Sequence, residues 1–309
     1  MDNQKRLFRH DHPFLFVFLI LGGMFAVLWG GIAFFLLSHL ADNQQGDFFG
    51  SKEGIGIIEL KGLLVSPEQV IETLGDFKRN PNIKAIVLRI NSPGGTVGAS
   101  QEIHKEILRT AEFKPIIASM GDVAASGGYY TAVAAQQIVA NPGTITGSIG
   151  VILKFNNLQE IMEKIGYKAE VIKSGELKDI GSMSRAMTPS ERDLLQALID
   201  NVHNQFIEAV IEGRNLSRED VVRVADGRIF SGEQAQQLGL VDQLGNFTDA
   251  ILLAAEKGGL DSSEPPHLIY PKEKEFSILR MIAGEAGQST LQGLFGHFPA
   301  LVYELPLFK

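Results

Sequence analysis

The hydrophobic pattern changes period along this chain, and each change marks an element. Residues 13–37 (PFLFVFLILGGMFAVLWGGIAFFLL) form an apolar run without a single charge. At about 1.5 Å per residue such a helix reaches roughly 37 Å, more than the ~30 Å hydrocarbon core of a bilayer. A secretory signal core is shorter and ends at an Ala-x-Ala-like site. The SHLADNQQ that follows here is a poor cleavage site, so an uncleaved transmembrane anchor is expected. Lys5, Arg6 and Arg9 precede the run, and Asp42 and Asp47 follow it. By the positive-inside rule the N-terminus lies in the cytoplasm and the rest outside, on a single pass through the inner (cytoplasmic) membrane. Gly22, Ala26 and Gly30 form a small-residue stripe that either pairs helices or reflects the ordinary glycine content of membrane helices.

Beyond a polar linker the pattern alternates between strand and helix. Residues 55–60, 83–90, 115–120, 137–141, 148–152 and 169–173 read as strands. Residues 67–77, 97–113 and 126–135 read as helices. Thr188-Pro189-Ser190-Glu191 is a capping box with proline at the first helical position. It opens a long helix whose Leu195, Leu198, Ile199, Val202, Phe206 and Val210 share one face. Shorter helices are expected at 218–224, 233–238 and 248–256, a loop at 259–271, and no clear period over 276–309. Such alternation implies crossover units and an α/β fold. The organisation is a cytoplasmic N-terminus (1–12), the anchor (13–37), a linker (38–53), one α/β domain (54–258) and a C-terminal extension (259–309).

Composition narrows the chemistry. The chain has 309 residues, a net charge of −8 and no basic run beyond its first ten residues, which argues against nucleic acid as a partner. It has no cysteine, so disulfides, thiolate nucleophiles and Cys-ligated zinc are excluded. Its 7 histidines show no ligand-like spacing, and no Gly-x-x-x-x-Gly-Lys-[Ser/Thr] loop occurs. No metal, cofactor or ATP step is expected.

Three glycine-rich corners each follow a strand: 91–95 (NSPGG), 121–128 (GDVAASGG) and 143–150 (GTITGSIG). Strand ends are where open α/β sheets bind ligands, and glycine lets backbone N–H groups approach a substrate. Ser126 opens a helix after a strand, at the positive end of its dipole. It reads either as a helix cap or as a nucleophile. In the second case the N–H groups of Gly127 and Gly95 are candidate oxyanion donors. His104 sits among Glu102, Lys105 and Glu106, on a solvated face by this reading, and His203 lies in the long helix; neither is at a strand end. The remaining candidate bases are Lys173 and Lys178, each of which reads equally as a surface cation. A lysine acts as a base only when neutral, which requires burial.

Together these corners resemble the signal peptide peptidase A (protease IV) family in its short, single-repeat form. The matching text is INSPGG at 90–95, DVAASGGYY at 122–130, GTITGSIGV at 143–151 and SGELKDIGS at 174–182. The resemblance spans about residues 55–249 and the anchor, with no departure from the motifs. It implies a Clp-protease/crotonase-like stack of βαβ units and a Ser/Lys peptidase domain. It implies Ser126 as nucleophile, Lys178 rather than Lys173 as general base, Ser148 orienting Lys178, and Gly95 and Gly127 as the oxyanion hole. Asp122 would hold its turn. It also implies a homo-oligomeric ring, in which neighbouring subunits complete a site, and substrates that are cleaved signal peptides or similar apolar peptides. The alternatives are a related membrane peptidase of the SohB or stomatin-partner type with a specific membrane-protein substrate, an acyl-CoA enzyme of the same fold, and a catalytically silent peptide-binding ring.

Overall fold

The computed structural model describes residues 14, 18, 21–31, 34, 52–261, 264–271 and 302–304. The chain divides into two units, residues 1–52 and 53–309. In the first, the described residues up to 34 are helical and exposed, and Lys52 is exposed without regular structure. Among the described residues no helix is long and apolar enough to cross a membrane, and the rest of the expected anchor at 13–37 lies outside them.

Among the described residues, the second unit is built on a mixed sheet of nine strands. β1 (Gly54–Leu64), β2 (Ile83–Thr96) and β3 (Ile116–Ala125) run parallel, joined by α1 (Glu68–Arg79) and α2 (Val97–Ala111). Parallel neighbours need such crossovers. Side chains alternate across these strands. Ile58 and Leu60, Ile86, Leu88 and Ile90, and Ile116, Ala118 and Met120 enter one core. Ile55 and Ile57, Ala85 and Val87, and Ile117 enter the other. Both faces are thus covered, which is why these segments read as continuous apolar runs rather than alternating ones. Each fully buried aliphatic side chain contributes about 1.5–3 kcal/mol.

β3 changes partner midway. Its residues 117–120 pair with β4 (Gln137–Ala140), whereas 123–125 pair with β5 (Ile145–Gly147). Between the two segments, the hydroxyl of Thr144 donates to Gly121 O at 2.7 Å, and within the second that of Thr146 donates to Ala124 O at 2.7 Å. After β3 comes the short α3 (Gly127–Ala132). A largely exposed excursion follows, carrying α4 (Gln159–Lys164) and a 3-10 turn (Glu176–Asp179). It leads into α5 (Pro189–Arg214), then α6 (Arg218–Val224), β6 (Ile229–Ser231), α7 (Gly232–Gln237), β7 (Gln243–Leu244) and α8 (Phe247–Lys257). β6 lies antiparallel to β5, and β7 pairs with β4.

Four expectations are corrected. Residues 148–152 and 169–173 form no extended strand: strand pairing moves upstream to β5, and Val171 and Ile172 lie exposed with no strand paired to them among the described residues. The expected loop at 259–271 contains β8 (His267–Ile269), which pairs with β1. The aperiodic tail contains β9 (Val302–Glu304), antiparallel to β2 at Gly94–Thr96. Along the expected apolar face of α5 the C-terminal part is packed, with Val202, Phe206 and Val210 buried, whereas Leu195 and Ile199 are half-buried and Leu198 is exposed.

Candidate active site

Ser126 stands between β3 and α3 with φ +53°. A β-carbon makes this backbone costly, roughly 1–3 kcal/mol. Two hydrogen bonds hold it there: Ser126 N donates to Gly147 O at 2.8 Å, and Tyr130 N donates to Ser126 O at 2.8 Å. The side chain is 1% exposed, and its hydroxyl has no hydrogen-bond partner. A helix-capping serine would donate or accept locally; this one does neither, so the capping reading fails. Two other non-glycine residues have positive φ among those described, Ser148 and Asn215. Asn215 caps α5 in the left-handed conformation, an ordinary helix ending. The strain that remains falls on the two serines singled out from sequence.

The glycine corners converge on Ser126. A β-carbon on Gly127 would stand 2.5 Å from the Ser100 hydroxyl, 3.1 Å from Gly95 N and 3.2 Å from Gly94 Cα. One on Gly95 would stand 2.1 Å from Leu64 O, where β2 passes β1. Backbone approach this close admits only glycine. The corner is braced by Ser92, whose hydroxyl donates to Gly62 O at 2.6 Å and accepts from Gly94 N at 3.1 Å. The expected structural role of Asp122 is not seen. Asp122 is exposed, and the turn is held by Asn91, whose Oδ1 accepts from Val123 N at 3.2 Å.

Ser148, 5% exposed, follows the Gly147 carbonyl that holds Ser126, and its own N donates to Arg228 O at 2.8 Å. It lines a cleft of about 270 Å³ together with Gln196, Asp200, His203 and Asp226. His203 Nε2 is buried without a partner. His104 is not on a solvated face. Its ring packs 4.8 Å from that of Tyr130, and burial, helped by the charge of Lys105, lowers its pKa to about 4.

The lysines part company. Lys173 donates to Asp179 Oδ1 at 2.6 Å and to Glu176 O at 2.7 Å, so it is taken up in an ion pair. Lys178 lies on the 3-10 turn, exposed, and its ammonium has no ion-pair or hydrogen-bond partner among the described residues. The structure therefore brings together Ser126, Gly95, Gly127 and, one residue away, Ser148, and leaves Lys178 outside this group within the single chain. Its expected burial relied on a strand at 169–173 that does not form here.

A strained, unpartnered serine at a strand-to-helix corner, walled by glycine backbone, sits in a sheet whose residues 65–144 match the Clp protease family. Residues 109–261 match Peptidase family S49, and the chain belongs to that family, with a Clp-protease-like fold. The Synechocystis sp. protein slr0021, named as a candidate protease, is 47% identical over 248 residues, covering 80% of this chain and 89% of that one. Protease 4 of Salmonella typhi is 37% identical over 238 residues, covering 74% of this chain and 38% of the relative. The chloroplastic serine protease SPPA of Arabidopsis thaliana is 35% identical over 240 residues, with coverages of 75% and 36%. The chain thus spans well under half the length of the latter two.

Proposed function

We propose that the chain is a membrane-anchored serine endopeptidase that degrades cleaved signal peptides and similar apolar peptides. The observation that carries this reading is the Ser126 hydroxyl: buried, free of any internal hydrogen bond, and held on a left-handed backbone beside Gly95 and Gly127. Neutral Lys178, oriented by Ser148, takes the Ser126 proton as Oγ attacks the peptide carbonyl. The N–H groups of Gly95 and Gly127 receive the developing oxyanion. Collapse expels the amine, which Lys178 protonates, and leaves an acyl-enzyme. Lys178 then activates the water that releases the acid. An extended peptide is accommodated along the oxyanion corner, a geometry supported by β9, which already runs antiparallel across Gly94–Thr96.

Lys178 meets Ser126 of a neighbouring copy in a homo-oligomeric ring. Support comes from its lack of hydrogen-bond or ion-pair partners among the described residues and from the exposed Ile161, Ile165, Val171 and Ile172 on the same excursion. Burying that surface against a second copy would also dry the lysine. Residues 13–37 anchor the ring, with the catalytic domain outside the cytoplasmic membrane. The test is turnover of a Leu-rich peptide. Ser126→Ala and Lys178→Ala each abolish it, and Lys173→Ala retains it. Turnover by Ser126→Ala removes the nucleophile from the scheme, and a dead Lys173→Ala beside an active Lys178→Ala moves the base.

A further inference from the structure

The turn that carries Lys178 has little of its own to hold it. Its backbone bonds are local: Lys178 N to Gly175 O at 3.1 Å, Ile180 N to Leu177 O at 3.2 Å and Ser182 N to Asp179 O at 3.0 Å. Residues 168–178 are all exposed. A general base needs better fixation, because a misplacement of about 1 Å costs on the order of 10²-fold in rate.

The fixation comes from the next residue. Asp179 receives a two-pronged contact from Arg185, Nε to Oδ2 at 3.0 Å and Nη2 to Oδ1 at 2.9 Å. Arg185 Nη2 also donates to Asp179 O at 3.3 Å, so the guanidinium grips the turn by side chain and backbone together. Its other edge reaches Glu191, Nη1 to Oε2 at 2.9 Å and Nη2 to Oε1. Glu191 is the third residue of α5 and half of its capping box, and its Oε2 accepts from Thr188 N at 2.8 Å. The two carboxylates are only 15% and 3% exposed. One planar guanidinium thus ties the lysine turn to the N-terminus of a 26-residue helix. Lysine cannot reproduce this, since its single ammonium lacks the fork. Hydrogen bonds from Arg185, then from Lys173, hold the Asp179 carboxyl well below the usual carboxylate range. Those from Arg185, then from Thr188, do the same for Glu191, so the tie stays charged through mild acid.

We propose that Arg185 is a positioning residue: acting through Asp179, with Glu191 as its footing, it sets where the Lys178 ammonium stands. This rests on Lys178 being the base. The test measures kcat and KM for a Leu-rich peptide, with the thermal midpoint, in Arg185→Gln, Asp179→Asn, the double variant, Arg185→Lys and Lys178→Ala. Arg185→Gln and Asp179→Asn each lower kcat about 10²-fold with KM within about twofold. The double variant is no worse than either single one, because both cut the same link. Arg185→Lys recovers only part of the loss. Should Arg185→Gln fail to fold, Asp179→Asn, which keeps the Arg185–Glu191 contact, carries the same readout. Wild-type kcat in folded Arg185→Gln or Asp179→Asn, with Lys178→Ala dead, overturns the positioning role and leaves the base in place. An active Lys178→Ala overturns the base itself.

Discussion

Ser126 and Ser148 carry backbone strain that serves no packing purpose visible in this fold. Their hydrogen bonds to neighbouring backbone hold them in place, and the gain is a hydroxyl presented from a corner where ordinary geometry would turn it aside. Gly127→Ala puts a β-carbon against the Ser100 hydroxyl and Gly95 N. It should lower kcat by about 10²-fold through the displaced donor and stability by about 1–3 kcal/mol through overpacking. Peptide turnover and urea unfolding of the same preparation read both; unchanged kcat would remove Gly127 from the oxyanion hole. His104 offers a pH test. Its pKa is about 4 in the folded chain against an ordinary 6.5. The unfolded chain therefore binds the proton first as pH falls, and stability drops between about 6.5 and 4, by on the order of 3 kcal/mol. His104→Phe should flatten that part of the melting profile, and parallel profiles would contradict it. The candidate nucleophile was legible because glycine and small residues surround it after a strand. The strain was not legible, since φ does not show in residue type. Nor was the burial of His104: its sequence neighbours are charged, and the ring that covers it comes from α3.

Elements whose partners lie close in the chain were legible in sequence. The apolar runs of β1, β2 and β3 and the helices between them need only local period and a crossover. α5 starts where its capping box says, with Thr188 accepting from Glu191 N at 3.2 Å. Thr188→Ala should cost about 1 kcal/mol in urea unfolding. A larger loss of kcat than of stability is also expected, because Glu191 is the footing of Arg185. A variant with unchanged stability and kcat would deny the cap both roles. Elements that depend on distant or absent partners were not legible. β8 and β9 are short and reach the sheet from the far end of the chain. Residues 169–173 have strand-like composition but no neighbour to pair with. Leu195, Leu198 and Ile199 follow the helical pattern of a core face, yet Leu198 is exposed and the other two are only half-buried.

At the scale of the molecule, one excursion carries exposed apolar side chains and Lys178, a lysine without a partner among the described residues. Large exposed apolar side chains grouped on one segment suit an interaction surface, and the proposed occupant is a second copy. Ile165→Asp with Ile172→Asp should shift the purified protein to smaller species in sedimentation and abolish turnover; an unchanged assembly would leave that surface unexplained. Mixing inactive Ser126→Ala with inactive Lys178→Ala should restore activity, because a mixed interface rebuilds complete sites. No restoration would place both residues of a site in one chain. The most direct measurement concerns Ser126 itself: intact mass and peptide mapping after treatment with a serine-directed acylating probe. The wild type should take up one adduct, on Ser126. Ser126→Ala should take up none, and Lys178→Ala should react far more slowly. A wild type that does not react, or an adduct that persists in Ser126→Ala, contradicts the account.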